Sequence, residues 1–589
     1  MLNKITLIEP KAPGAHVYST VNMPRLGLPQ LGSVLRSKGY QVKIFFEKSG
    51  EIELPALLDS DLVGISIITS TSTEGYRIAR FLREKGMPVI IGGPHATFMP
   101  EEALNYADYV IRGEGESAIL PLLEAIDKGA APLGIPGVSY ILDGEPVHNP
   151  PPPCAEDLNS LPSPDLSLFV NMGKLSTVPV LTSRGCPFNC TFCSVTQMFG
   201  RKYRFRDPEL ILEELERYRG RKVFFCDDNF TANTRRTKEL LEGMIKRDLL
   251  PKWWGAQVRT DVVKDGELLE LMWRANWRMA FVGFESINPD TLLAYNKQQD
   301  LEDIEMCIEK LHEKRVMVHG MFVFGGDHDT IETIRETVNF ALKMKIDTVQ
   351  FLTLTPLPGT PLFRKLEEEG RLLTRDWHFY DGHHVVFKPQ RMTPLELQQE
   401  TLQAFKKFYS LRHIMNNIFL TGLNSVAFKG VGRYLTSRWD RENRWFPYFL
   451  EKISEPLPPA RNKRLSFKKQ IQAIKLKRLK YLTREELLKI SIFELNGVFH
   501  INLQGILNAF TLGELKKTLR DNLSESYIDL VINAKNMRFA SDEIAQRFIK
   551  HLNKLGVKER SVKLVAAFDN RWQKILQRYK KILYFEFST

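Results

Sequence analysis

The sequence predicts an α/β protein of several units built mainly on parallel sheets, and three observations carry that prediction. At 589 residues the chain is too long for one ordinary domain. Continuously apolar runs alternate with amphipathic helical patterns in two separate series, as parallel strands covered on both faces require. A proline-rich stretch over residues 149–164 divides the two series and reads as a linker. The expected order is a doubly wound parallel sheet (1–145), a linker (146–177), a (βα)6-type partial barrel (178–390), a helical extension (391–455), a basic linker (456–486) and a small α/β unit (487–589).

In the first unit residues 5–8, 42–46, 62–68, 88–92 and 109–111 read as strands, with helices over 28–38 and 75–85. Ligands of such sheets bind beyond the carboxyl ends of the strands. The loops there carry Gly92-Gly93-Pro94-His95 and Gly113-Glu114-Gly115-Glu116, whose glycines let the backbone approach a large ligand. The second series has strands at 178–182, 222–226, 253–258, 279–284, 316–324 and 348–354. Six βα units suggest a partial or full parallel barrel with its active site at the C-terminal strand ends. Residues 391–455 read as helical, with exposed aromatics at Trp439, Trp445 and Tyr448. The last unit reads β-β-α-β-α-β-α-β, with strands at 490–495, 498–502, 528–533, 562–568 and 582–587.

Hydrophobic content of 43% and charged content of 26% are those of a soluble globular protein. The chain begins directly on an apolar strand, without the pattern of a secretory signal, and a cytoplasmic location is expected. No window offers the roughly 18 uninterrupted apolar residues of a spanning helix. The net charge of +12 is uneven: between Arg461 and Lys480 nine residues are basic and none is acidic. That run suits a solvated linker or an anionic membrane surface, and nucleic acid is not an expected partner.

Six cysteines in so long a chain do not make a disulfide scaffold, and three crowd into Cys186-Pro187-Phe188-Asn189-Cys190-Thr191-Phe192-Cys193. Thiolates suit both zinc and iron–sulfur clusters. Structural zinc wants four closed ligands, which Cys226 at the next strand end would have to complete. Three ligands on one short loop fit a 4Fe-4S cluster with one iron left open. S-adenosylmethionine (SAM) could chelate that iron through its amino and carboxylate groups. Cys226 otherwise reads as a strand-end residue, and Cys307 as a helix-face residue.

With these motifs residues 1–410 resemble the cobalamin-binding-domain radical SAM family. The resemblance implies that Cys186, Cys190 and Cys193 hold the cluster, which cleaves SAM to a 5′-deoxyadenosyl radical. It implies that Asp227 or Asp228, in Phe225-Cys226-Asp227-Asp228-Asn229-Phe230, binds the SAM amino group, and that Glu285 and Ser286 meet the ribose hydroxyls. Carboxylates suit both tasks because ammonium and hydroxyls are donors. Arg259 would pair with the SAM carboxylate, while Phe324-Gly325-Gly326 and the loop 355–360 would line the adenine side. Gly92, Gly93, His95, Gly113, Glu114 and Gly115 would stand at the corrin. The Asp-x-His-x-x-Gly signature is absent, so no histidine from that motif would ligate cobalt. Asp381-Gly382-His383-His384 resembles a segment that follows the barrel in this family, and its histidines could face substrate or be loop residues.

Residues 487–589 are similar in order to a STAS domain, a module for protein contacts or regulation. Residues 536–543, with Ser541, would form its loop before a helix. Ser541 reads as a phosphorylation site or, more simply, a helix N-cap. The whole implies a cobalamin-dependent radical SAM enzyme that methylates an unactivated carbon of a small-molecule or lipid-like substrate. A flavodoxin or ferredoxin would supply electrons, and the aromatic and basic segments suit peripheral membrane contact. Cyclisation or rearrangement, and a metal-stabilised regulatory scaffold, are the alternatives. Methylthio transfer is disfavoured because residues 1–153 contain no cysteine.

Overall fold

The computed structural model describes residues 2–12, 23–50, 52–152, 154, 157–170 and 175–454, then strand segments between 488 and 588 with Leu515 and Phe548. The chain divides into two compact units, Met1–Ser454 and Glu455–Thr589.

The first sheet contains β1 (Lys4–Glu9), β2 (Gln41–Phe46), β3 (Leu62–Ser66), β4 (Val89–Gly92), β5 (Tyr109–Ile111), β6 (Val138–Leu142) and β7 (Glu145–His148), in the order β2-β1-β3-β4-β5-β6-β7. The first five run parallel. Their apolar residues point alternately to two cores. Ile5 and Leu7 join Leu35, Leu122 and Leu123 on one face, while Ile8, Val63 and Ile65 meet Ile78 and Leu82 on the other. Two such cores make the sheet doubly wound, as expected. The antiparallel pair β6 and β7 was not anticipated, and β7 crosses the expected boundary at residue 146. Its residues are mostly exposed, so it lacks the apolar run that marks a buried strand. The chain order reverses between β1 and β3, which opens a crevice at their carboxyl ends.

The second sheet contains β8 (Thr177–Val180), β11 (Lys222–Phe225), β12 (Trp253–Val258), β13 (Trp277–Glu285), β14 (Met317–Phe324) and β15 (Thr348–Thr353). All neighbours are parallel and sequential, and β8 and β15 form its two edges. This is the partial form of the expected barrel. A short antiparallel ribbon, β9 (Ser183–Arg184) with β10 (Arg204–Phe205), brackets the cysteine loop. Behind the sheet, Phe225 stacks on Phe230 at 4.7 Å and Trp254 donates to the Ala275 carbonyl at 2.7 Å.

The extension starts at helix Pro394–Phe408, where Thr393 and Glu396 form a capping box, and continues through helices Leu411–Glu442 and Phe446–Ser454. Trp439 and Trp445 are half-buried rather than exposed, against His384 and Phe379. A helical pattern does not show which partner will cover an aromatic face. No described helix is long and apolar enough to cross a membrane.

The second unit contains β16 (Leu488–Leu495), β17 (Val498–Leu507), β18 (Asp529–Phe539), β19 (Val562–Ala567) and β20 (Tyr584–Ser588) in sequential order. Its first pair is antiparallel and the rest are parallel. Residues 536–539, expected in a loop, continue β18, because β17 extends to Leu507 and pairs with them across a register shift. Ser541, the helices expected at 512–522, 542–555 and 571–580, and the basic run lie outside the described residues, apart from Leu515 and Phe548.

Candidate active site

The C-terminal strand ends of both sheets of the first unit open onto one cavity of about 690 Å³. Cys186, Cys190 and Cys193 line it together with Asp228, Gln257, Arg259, Glu285 and Lys297 from the barrel. The first sheet contributes Glu9 at the end of β1, the turn Thr69–Thr71 after β3, and Pro94 and Phe98 after β4.

Gly185 gives the cysteine loop its entry. Its φ is +85°, and a Cβ there would stand 2.6 Å from the Lys202 carbonyl oxygen. Burial pushes the Cys186 thiol up and the Cys193 thiol up to about 12, with Asp228 adding to both shifts. Such thiols become thiolates only beside compensating positive charge, which bound iron supplies. Among the described residues no group of three His, Cys, Asp or Glu is placed to hold a metal ion, and Cys226 stays off the cavity wall. Three thiols on one loop, with no fourth cysteine on the cavity wall, leave one iron of a cube open, so the donor set fits the cluster better than zinc closed by four ligands.

The two aspartates after β11 separate. Asp227 is fully buried and accepts from the Thr182 hydroxyl at 2.8 Å and from the Ser183 hydroxyl, which ties β11 to the start of the cysteine loop. Asp228 alone of the pair lines the cavity. Water reaches it through the cavity, yet the surrounding protein and buried Asp227 push its carboxyl up to about 7. A bound cation would reverse that rise.

Arg259 lies with its guanidinium 3.8 Å from the Phe188 ring centre and donates to the Lys297 carbonyl. Its buried Nε has no hydrogen-bond partner. Such an orphan donor beside a cavity fits an anionic ligand group. Glu285 ends β13 at a bulge, with φ +62°, and pairs with Lys297 Nζ at 2.7 Å. Lys297 was missed in the sequence because it lies outside every strand end. Ser286 stays off the cavity and caps a turn by accepting from the Asn288 amide at 3.0 Å. Thr355, Leu357 and Pro358 line the cavity, whereas the Gly325 and Gly326 amides both donate to Asp329, another residue missed.

The corrin-side expectations come out differently. Gly93 is required by its own sheet, since a Cβ would stand 2.5 Å from the Ile67 carbonyl oxygen. Gly92 and Gly115 are also off the cavity wall, and Gly113 packs against Pro152. Glu114 is buried in ion pairs with Arg204 and, at 3.3 Å, Arg184, and Glu116 takes Arg184 at 2.6 Å. The Gly-Glu-Gly-Glu turn therefore grips the ribbon beside the cysteine loop. His95 is fully buried between Thr69 and Glu102 and packs on Trp377, so it does not face the cavity. Beyond the barrel, Asp381 accepts from the His384 ring at 2.9 Å and from two backbone amides, so His384 is a loop brace.

Comparison with known proteins agrees with this geometry. Residues 180–341 match the radical SAM superfamily and residues 16–123 the B12 binding domain. An uncharacterized methyltransferase of Pyrococcus horikoshii is 31% identical over 433 residues, covering 69% of this chain and 92% of that protein. The chain belongs to the B12-binding radical SAM family. With the family come its cofactors, a 4Fe-4S cluster with SAM, and cobalamin. The bacteriochlorophyllide d C-12(1)-methyltransferase of Chlorobaculum tepidum is 29% identical over 449 residues, covering 74% of this radical SAM enzyme and 94% of that relative. In fold, the enzyme resembles the radical SAM methyltransferase TsrM of Kitasatospora setae solved with cobalamin and a 4Fe-4S cluster, at a TM-score of 0.56 and 18% identity over 75% of this chain and 100% of that one.

Proposed function

We propose that this radical SAM enzyme methylates an unactivated carbon of a small-molecule or lipid-like substrate. The observation that carries the reading is the single cavity, which three thiols and the crevice of the first sheet share. When bound, the cluster supplies one electron to SAM and the corrin supplies a transferable methyl group. Cys186, Cys190 and Cys193 hold the cluster. Asp228 accepts from the SAM ammonium, Arg259 Nε donates to its carboxylate, and Glu285, steadied by Lys297, takes the ribose hydroxyls. Asp227 and Ser286 act behind these groups as positioning residues. Methyl transfer is supported by the relatives from Pyrococcus and Chlorobaculum, and a large apolar substrate by the second of them.

Residues 1–145 are assigned to the corrin, 178–390 to the cluster and SAM, and 391–455 to the helical extension; 146–177 and 456–486 join the units. Residues 487–589 are assigned a STAS-like role in protein contact, supported by one antiparallel pair followed by parallel strands. A cytoplasmic location, peripheral membrane contact and a flavodoxin or ferredoxin electron donor complete the reading.

The test is anaerobic incubation of the iron-, sulfide- and cobalamin-loaded enzyme with reductant, candidate substrate and SAM labelled in its methyl group. Label in the product together with 5′-deoxyadenosine is expected. Substituting any one of the three cysteines by Ala should abolish 5′-deoxyadenosine formation. Fully loaded enzyme that forms no 5′-deoxyadenosine overturns the reading, and an altered but unlabelled product replaces methyl transfer with rearrangement.

A further inference from the structure

A second cavity, of about 860 Å³, lies within the barrel towards its N-terminal end. Thr177, Lys222, Trp253, Met317 and Thr348, the first residues of β8, β11, β12, β14 and β15, mark its depth. The helical extension closes it with Phe405, Phe428, Leu435 and Trp439. It meets the cluster-side cavity at Met23, Gln257, Met321 and Gln350, which line both.

The chemistry of this chamber is uneven along its length. Its middle is apolar, with Phe281, Met279 and Met321 on the strands, and it falls within the roughly 300–1,000 Å³ of small-molecule sites. Among the described residues no acidic side chain lines it. His319 bonds Thr348 through Nδ1 at 2.7 Å, and burial lowers its pKa to about 4, so it is neutral at pH 7. At the junction Gln350 is 1% exposed and its Nε2 has no hydrogen-bond partner, a donor left open where the two cavities join. At the far end Lys222 and Lys252 are exposed on the rim, and neither pairs with an acid among the described residues.

From this gradient we infer that the chamber is the substrate site, and that it takes a largely apolar molecule with an anionic end. The anion meets Lys222 and Lys252 at the rim, the apolar body fills the barrel, and a polar group near the reacting carbon accepts from Gln350 Nε2. This inference rests on the proposed reaction for its purpose but is read by binding alone. No substrate would then need to pass through the cofactor side, because entry and cofactors lie at opposite ends of the barrel.

The test uses the full chain with its cluster loaded, without SAM, titrated with fluorescent cis-parinaric acid and with the corresponding uncharged alcohol. Saturable binding is expected for both, tighter for the acid. Exposed ion pairs are weak, so the double substitution Lys222→Ala, Lys252→Ala should weaken the acid about three- to tenfold and leave the alcohol unchanged. Filling the chamber with Met279→Trp should weaken both ligands by about tenfold or more. Absent saturable binding, equal affinity for acid and alcohol, or unchanged affinity in a folded Met279→Trp chain would overturn the inference. Should Met279→Trp fail to fold, the acid–alcohol pair and the surface variant still decide. Methyl transfer itself is not read here, so the two conclusions fail separately.

Discussion

At Asp381 one carboxylate organises the turn after the barrel, accepting from the His383 and His384 amides at 2.8 and 3.0 Å and from the His384 ring. His384, first in strength, and these other donors hold its pKa well below the ordinary carboxylate range although the surrounding protein raises it. Because the folded value is depressed, its contribution is complete above the unfolded pKa, starts to fade as pH falls below that value and is gone only below the folded pKa. Asp381→Asn should cost about 1–3 kcal/mol at pH 7 and about 1 kcal/mol less at pH 3, measured as the difference in urea unfolding between variant and parent. A variant equally destabilised at both pH values would refute that account. The neighbouring Asp227 and Asp228 show why single residues are hard to read in a sequence. They share one motif, and only the tertiary contacts of Thr182 and Ser183 withdraw the first from the cavity.

Among the elements, β13 is the one whose shape sets the site. Its bulge between Gly283 and Glu285 puts Glu285 in the left-handed region and turns its carboxylate to Lys297. Gly283 makes room for that pair: a Cβ would lie 2.6 Å from Glu285 Oε1 and 2.9 Å from Lys297 Nζ. Gly283→Ala should therefore displace the pair and weaken SAM binding about tenfold or more by equilibrium dialysis, while far-UV circular dichroism stays unchanged. SAM affinity equal to the parent's would show that the pair is not part of the SAM site.

Across the whole first unit, buried charge joins the first sheet to the cysteine loop. Glu114 is the partner of both Arg184 and Arg204, and all three side chains are nearly fully buried. Removing the acid takes the Glu114 carboxylate from both arginines, of which Arg184 keeps Glu116 at 2.6 Å. Glu114→Gln should cost about 3–5 kcal/mol in urea unfolding and lower the iron retained after reconstitution. Loss of stability with full iron loading would make the pair a structural joint alone. This joint gives the Gly-Glu-Gly-Glu turn a role within the protein, since its carboxylates meet two arginines at a strand end where glycines also let the backbone approach a large ligand.

The sequence by itself determined the two parallel sheets, their strand positions and the thiol cluster, because continuous apolar runs and ligand spacing are local properties of the chain. It also carried Asp228, Arg259 and Glu285 to strand ends that line the cavity, since a residue's place along a strand sets the end it reaches. Only the tertiary structure decided which polar residues face the cavity. His95, Glu114 and Ser286 spend their hydrogen-bonding groups on neighbours distant in sequence, while Lys297, Asp329 and Gln350 acquire their places from strands and loops brought beside them. The chamber beneath the cluster is likewise a tertiary product, formed only where the helical extension closes the open barrel.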